Sequence, residues 1–145
     1  MKYREFSDLG WRVSEIGLGC WQIGWCWGDV EDQDARKILK AALDNGVNFF
    51  DTSDTYGDGR SERFLSEILK TNKDIYVTTK LGRRIRGTNY ARGYKHEPME
   101  EFIDRSLLNL KLEKIDLVQL HCPPLEICKK TETFEKMDQL IQKGK

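Results

Sequence analysis

Three short runs of apolar and β-branched residues, each closed by one chemically active side chain, constrain this chain more than any other feature. They are Val47 to Phe50 before Asp51, Ile75 to Thr79 before Lys80, and Ile115 to Leu120 before His121. Between them lie segments of helical period. Ala35, Ile38, Leu39, Ala42 and Leu43 mark a first helix, with Asp32 or Asp34 near its start and Gly46 just past its end. Phe64, Leu65, Ile68 and Leu69 form the inner stripe of a second, for which Ser61 is the expected N-cap. Pro98 sits near the start of a third, whose apolar face is Ile103, Leu107 and Leu110. Phe134, Met137 and Ile141 mark a fourth, which Gly144 ends. Strands alternating with helices predict a parallel sheet with right-handed crossovers.

The chain before this array alternates apolar and polar residues from Lys2 to Phe6 and from Trp11 to Ile16. That pattern predicts a β-hairpin turning at Asp8 to Gly10. The run from Ser14 to Gly19 predicts the first strand of the main sheet, and its glycines, Gly17 and Gly19, predict something packed closely on that backbone. A doubly wound sheet suits the same order of elements, but Gly17-Leu18-Gly19 leads into Trp21-Gln22 without the third glycine of a dinucleotide fingerprint. A (β/α)8 barrel fits better. Such a barrel takes about 250 residues. The expectation for residues 1–145 is therefore a single partial barrel domain, a hairpin and four βα units, truncated before the fifth strand.

Composition narrows the function classes. Formal net charge is zero, which gives no electrostatic case for a nucleic-acid partner. Apolar runs are far shorter than the roughly 20 residues of a membrane span. Met1 to Ser7 carries no apolar signal core, so a cytoplasmic protein is expected. The four cysteines, at 20, 26, 122 and 128, lack the two-residue gap of zinc and redox pairs, and only His96 and His121 accompany them. Reduced thiols and no metal are the expectation.

In a parallel βα array the strand C-termini share one rim, and neighbouring strands lie about 4.8 Å apart. Asp51, Lys80 and His121 then fall on one rim, and Tyr56 sits in the loop above it. Charged residues often end strands merely because the chain meets water there. Three on successive strands, with a phenol beside them, favour a site. A free tyrosine, with a pKa of about 10, is a poor acid at neutral pH. An ammonium at Lys80 stabilises the phenolate, a carboxylate at Asp51 holds that ammonium, and a donor at His121 orients a carbonyl oxygen toward Tyr56. Such a site donates a proton during carbonyl reduction; the hydride has to come from a cofactor.

The stretch Gly46-Val47-Asn48-Phe49-Phe50-Asp51-Thr52-Ser53-Asp54-Thr55-Tyr56-Gly57, followed by Ser61-Glu62, resembles the aldo/keto reductase family, as do Thr79-Lys80 and Gln119-Leu120-His121. The resemblance implies an oxidoreductase that moves hydride between NAD(P)H and an aldehyde or ketone on a (β/α)8 barrel. It implies that Asp51, Tyr56, Lys80 and His121 are the catalytic tetrad, with Tyr56 as proton donor. It places the cofactor, NADP with NAD as an alternative, against Gly19, Cys20, Trp21 and Asp51. Most cofactor contacts in the family come from the loops after the fifth to eighth strands, beyond Lys145. The chain also departs from the family at Cys122, where Trp is common. A non-catalytic regulatory or protein-binding barrel subunit is the alternative function, and a half-barrel inactive alone is another.

Other features attach to the same rim. Trp21, Trp25 and Trp27 crowd the loop after the first strand and are expected either to wall the substrate pocket or to pack that loop down. The loop from Leu81 to Glu97 carries Arg83, Arg84, Arg86, Arg92 and Lys95, and a solvated loop is the simpler reading than an anion site. Asp54 and Asp58 are read as turn residues. Expected partners are a small carbonyl or alcohol substrate and, through open sheet edges, a second copy of the chain. No membrane partner is expected.

Overall fold

The computed structural model describes residues 1–6, 9–24, 28–83, 94 and 99–145. Strands β1 (Tyr3–Phe6) and β2 (Trp11–Ser14) pair antiparallel, with Phe6 opposite Trp11. The main sheet contains β3 (Leu18–Gly19), β4 (Phe49–Asp51), β5 (Tyr76–Leu81) and β6 (Leu117–Leu120), all parallel and in chain order. Helices α1 (Asp32–Asp44), α2 (Arg60–Leu69) and α3 (Met99–Leu110) follow β3, β4 and β5. After β6 come a one-turn helix α4 (Leu125–Cys128) and then α5 (Thr131–Gln142). This is the hairpin and four βα units of a partial barrel.

Alternation along the strands divides the sheet into two faces. Phe50, Val77, Thr79 and Leu81 point to the helices and are buried with Leu39, Leu65, Phe102, Ile103 and Leu110. Each large side chain sealed there contributes roughly 1.5–3 kcal/mol. On the other face, Phe49 and Tyr76 lie toward the N-terminal end of the strands, and the hairpin caps them. Trp11 stacks on Tyr76 at 4.8 Å between ring centroids, and Phe6 lies 6.1 Å from Phe49. Asn48 fastens the hairpin by accepting from the Ser14 amide and donating to the Arg12 carbonyl.

Several local expectations need correction. The first strand is only Leu18–Gly19, because Ser14 belongs to the hairpin and bonds the Ile16 carbonyl through its hydroxyl. Gly17 does meet close backbone, since a methyl there would lie 3.2 Å from the Phe49 carbonyl oxygen, but Gly19 has nothing within 4 Å. Ser61 does not cap α2: the cap is Gly59, two residues earlier and in left-handed φ, and the Ser61 hydroxyl donates to the Cys20 carbonyl instead. Ile38 is exposed because α1 buries Ala35 and Leu39. On α5, Phe134 and Ile141 are exposed and Leu140 is the buried anchor, since β6 ends the sheet and nothing covers that side among the described residues. The Asp8 part of the hairpin turn, Pro98, His96, Trp25, Trp27, Arg84, Arg86, Arg92 and Lys95 lie outside the described residues. No described helix is long and apolar enough to cross a membrane.

Candidate active site

The register raises the site across the sheet like a stair. Asp51 pairs with Thr78, two residues before Lys80, and Lys80 pairs with Gln119, two residues before His121. Steps of two preserve the face, so Asp51, Thr78, Lys80 and Gln119 project from the side away from the helices. Their contacts agree: the Gln119 amide donates to Thr78 Oγ1 at 2.8 Å and to Asp51 Oδ2 at 3.3 Å. The strand ends are continued by backbone bonds from Cys20, Thr52 and His121 to the neighbouring strand, each 2.8 Å.

Lys80 is the centre of the group. Its ammonium pairs with Asp51 Oδ1, donates to the Thr52 carbonyl at 2.9 Å and lies 5.0 Å from the centre of the Tyr56 ring. Lys80 is the more enclosed partner, with a side chain 13% exposed against 35% for Asp51. An ammonium in such a setting requires a counter-charge and an acceptor, and Asp51 and Thr52 provide both. The rings of Tyr56 and His121 meet edge to face at 5.9 Å and 89°.

Tyr56 is placed by backbone contact as well as by its own ring. The one-turn 3-10 helix Gln22–Gly24 presses on its loop so closely that a methyl at Gly24 would lie 2.5 Å from the Tyr56 carbonyl carbon. Gly57 meets the same contact from the other side and takes φ +63°, a region that favours glycine. Tyr56 N donates to the Ser53 carbonyl, and the Ser61 amide donates to the Tyr56 carbonyl. Beneath, buried Arg60 holds the preceding loop, donating to the carbonyls of Ile23 and Val30 and pairing with Asp32.

His121 is enclosed at the other end of the group. Nδ1 lies 3.2 Å from Ser53 Oγ, and Nε2 lies 3.3 Å from a guanidinium nitrogen of Arg83. Burial first, then the positive charges of Arg83 and Lys80, hold its pKa down to about 4 against the opposing pull of Asp51. The imidazole is therefore neutral at neutral pH. Tyr94 closes the same corner. Its hydroxyl reaches the carbonyls of Leu81 and His121, each at 3.0 Å, and its ring covers Gly82. Burial pushes the Tyr94 pKa up, so it stays a protonated clasp between β5 and β6.

The remaining residues singled out in the sequence fall as follows. Trp21 is at the rim, 40% exposed, with its ring 6.5 Å from Tyr56. Gly19 is open, while the Cys20 thiol is sealed beneath, with a pKa raised to about 12 chiefly by burial. Glu62, fully buried on α2, accepts from Thr79 Oγ1 at 2.7 Å and from Asn109 at 2.8 Å, tying α2 to β5 and α3. Gly24, Arg60 and Tyr94 escaped the sequence reading, while Ser53 and Gln119 were named there only within the family-like stretches; Gln119 had a further signal, since it stands two residues before His121 on the same strand face.

The family model described as "Aldo/keto reductase family" matches residues 15–145. The chain is 32% identical, over its whole length, to the aldo-keto reductase YhdN of Bacillus subtilis and covers 45% of that protein. It matches the holo form of aldo-keto reductase AKR11C1 from Bacillus halodurans with a TM-score of 0.79 and 31% identity, covering 99% of this chain and 47% of that one. An aldo/keto reductase from Klebsiella pneumoniae, solved in complex with NADP and acetate, matches with a TM-score of 0.67 and 25% identity, over 92% of this chain and 44% of that one. The chain thus spans about half the length of the relatives it matches.

Proposed function

The chain belongs to the aldo/keto reductase family, and from that premise we propose that it carries the acid–base half of an NAD(P)H-dependent carbonyl reductase, with Tyr56 as proton donor. The observation that carries this reading is the Lys80 ammonium, paired with Asp51 and 5.0 Å from the Tyr56 ring. A positive charge roughly 4–8 Å from a developing phenolate oxygen is worth about 2–4 kcal/mol at an effective dielectric of ~20. Asp51 offsets part of that attraction while holding the ammonium in place. As hydride adds to the carbonyl carbon, negative charge grows on its oxygen, and Tyr56 gives up its proton there. His121, edge-on to Tyr56, bounds the space for that oxygen.

The residues on the β3 side suit a flat nicotinamide ring. Gly19 leaves its backbone open, Trp21 presents a partly exposed ring toward Tyr56, and Asp51 is half-exposed at the rim. The cofactor, NADP as in the Klebsiella pneumoniae relative or else NAD, supplies the hydride when bound. Gly19, Trp21 and Asp51 hold it from this half of the barrel, and Cys20 contributes only backbone because its thiol is sealed. Trp21 also walls the substrate side.

Replacing Tyr56 by Phe tests the assignment. Reduction of a panel of aldehydes and ketones, followed as NADPH oxidation in the full-length gene product, should fall at least about 100-fold. Cofactor affinity should stay within a factor of about three, since only the hydroxyl is lost. Unchanged turnover in this variant would overturn the proton-donor role. We further read the β3 and β6 edges, which pair with no further strand among the described residues, with the apolar groove lined by Leu117, Met137 and Ile141 beside β6, as the cause of self-association of the 145-residue chain. Light scattering that finds a clean monomer would count against it.

A further inference from the structure

The two carboxylate oxygens of Asp51 take partners from different strands. Oδ1 takes the Lys80 ammonium from β5, and Oδ2 accepts from the Gln119 amide of β6 at 3.3 Å. The second contact crosses a strand. Asp51 and Gln119 stand on strands two apart, with backbones about 10 Å from each other. Gln119 spans the gap by reaching over Thr78, which pairs with Asp51 and whose short side chain lies between them. Thr78 is fully buried, and its Oγ1 accepts from the same amide nitrogen at 2.8 Å, so the otherwise exposed Gln119 is anchored on the sheet. An ionised carboxylate only accepts, which turns the NH2 end of the amide toward Asp51. Among the described residues no other side chain meets Asp51 Oδ2.

We propose that Gln119 is a positioning residue that locks the Asp51 carboxylate through Oδ2 and thereby holds the Lys80 ammonium against the Tyr56 ring. Asp51 needs such a hold. Its side chain is 35% exposed, and a partly exposed ion pair gains little when both side chains are free to turn away. A donor on Oδ2 restricts rotation of the carboxylate and keeps Oδ1 turned to Lys80, the cation 5.0 Å from the Tyr56 ring centre. The catalytic consequence rests on the reading of Tyr56 as proton donor; the hold on Asp51 does not. The donor has to be neutral. The charged and titratable groups around the amide are Asp51 in contact from β4 and Lys80 from β5, with the Cys20 thiol, Tyr56 and His121 beyond them. A second carboxylate in place of the amide would meet Asp51 Oδ2 at contact distance and compete for the ammonium that Oδ1 holds.

Gln119→Glu and Gln119→Leu test this in the full-length gene product. Gln119→Glu keeps the shape but donates only while the new carboxyl is protonated. Repulsion from Asp51 should raise that carboxyl above its free value of about 4.3 in the folded state. A group raised on folding loses its contribution as the pH rises, so the variant should weaken relative to wild type. In urea melts without cofactor, the ratio of unfolding constants, variant over wild type, should grow about fivefold from about pH 4.5 to 8, as for a carboxyl raised by about one pH unit. Groups common to both proteins cancel from the ratio. A ratio that stays flat or shrinks would overturn the hold on Asp51. In Gln119→Leu, kcat for carbonyl reduction should fall about tenfold while the KM for NADPH stays within about threefold, and an unmoved kcat would overturn the positioning role. Should that variant fail to fold, the kcat of Gln119→Glu decides in its place: relative to wild type it should fall over the same pH range, and a constant ratio would count against the role. A wild-type protein without reductase activity would sink the proposed function while leaving the urea result standing. An active enzyme with a flat urea ratio would do the reverse.

Discussion

Gly24 and Gly19 lie five residues apart on the same side of the barrel rim, and their contrast gives a sharp test of how Tyr56 is held. A methyl added at Gly24 would stand 2.5 Å from the Tyr56 carbonyl carbon, 2.7 Å from the Gly57 nitrogen and 2.9 Å from Tyr56 Cα. All three are backbone atoms, and that backbone is pinned by hydrogen bonds at Tyr56 N and at the Tyr56 carbonyl. Restoring ordinary contact requires the two segments to part by about 1 Å, an overpacking cost of about 1–3 kcal/mol. A displacement of that size at a reacting group can cost about 100-fold in rate. A methyl at Gly19 meets nothing within 4 Å, and its φ is not left-handed, so Gly19→Ala should keep or raise stability by up to about 1 kcal/mol. If the cofactor lies on Gly19, that same methyl should weaken NADPH binding. The assays are urea unfolding for both variants, and turnover and NADPH titration in the full-length gene product. Gly24→Ala with wild-type stability and turnover would refute the claim that this contact sets the position of Tyr56.

Other outcomes follow from single contacts. His121 titrates near pH 4 when folded and near 6.5 when unfolded, so the unfolded chain takes up its proton first as the pH falls. Its contribution is complete above about pH 7 and is lost between 6.5 and 4. The full shift corresponds to about 3 kcal/mol, and the open rim should reduce it to about 1–2. Urea melts of wild type and His121→Gln across that range should diverge accordingly, and parallel curves would refute the cause given. Glu100, held at about 2 by Lys143 and Lys145, loses its contribution as the pH falls from about 4.5 toward 2, and because it is present in both proteins it cancels from the comparison. Thr79→Val removes a donor from the fully buried Glu62 carboxyl and should cost about 1–3 kcal/mol in the same assay. Lys80→Met leaves Asp51 without its counter-charge and Tyr56 without its nearby ammonium. It should depress kcat more than the KM for NADPH, and the opposite pattern would count against the role of Lys80.

The βα order, the partial barrel and the convergence of Asp51, Tyr56, Lys80 and His121 were legible in the sequence, because each rests on local periodicity. A buried strand must be apolar, an amphipathic helix must repeat every 3.6 residues, and a strand end must turn to the rim. Tertiary structure decided the rest. The stair of two residues per strand arises from pairing register, which no single strand encodes. Arg60 reads in sequence as an ordinary surface charge, yet it is buried because the loop after β3 supplies the carbonyls it donates to. Ile38, Phe134 and Ile141 fit apolar helical stripes but stay exposed, because which part of a stripe is covered depends on where neighbouring elements pack. The same holds at the site. Residue types named an acid–base group, but the partners of the His121 ring, Arg83 and Ser53, reach it across 38 and 68 residues of chain. Hydrogen-bond complementarity acts between atoms brought together by folding, and sequence spacing carries no trace of it.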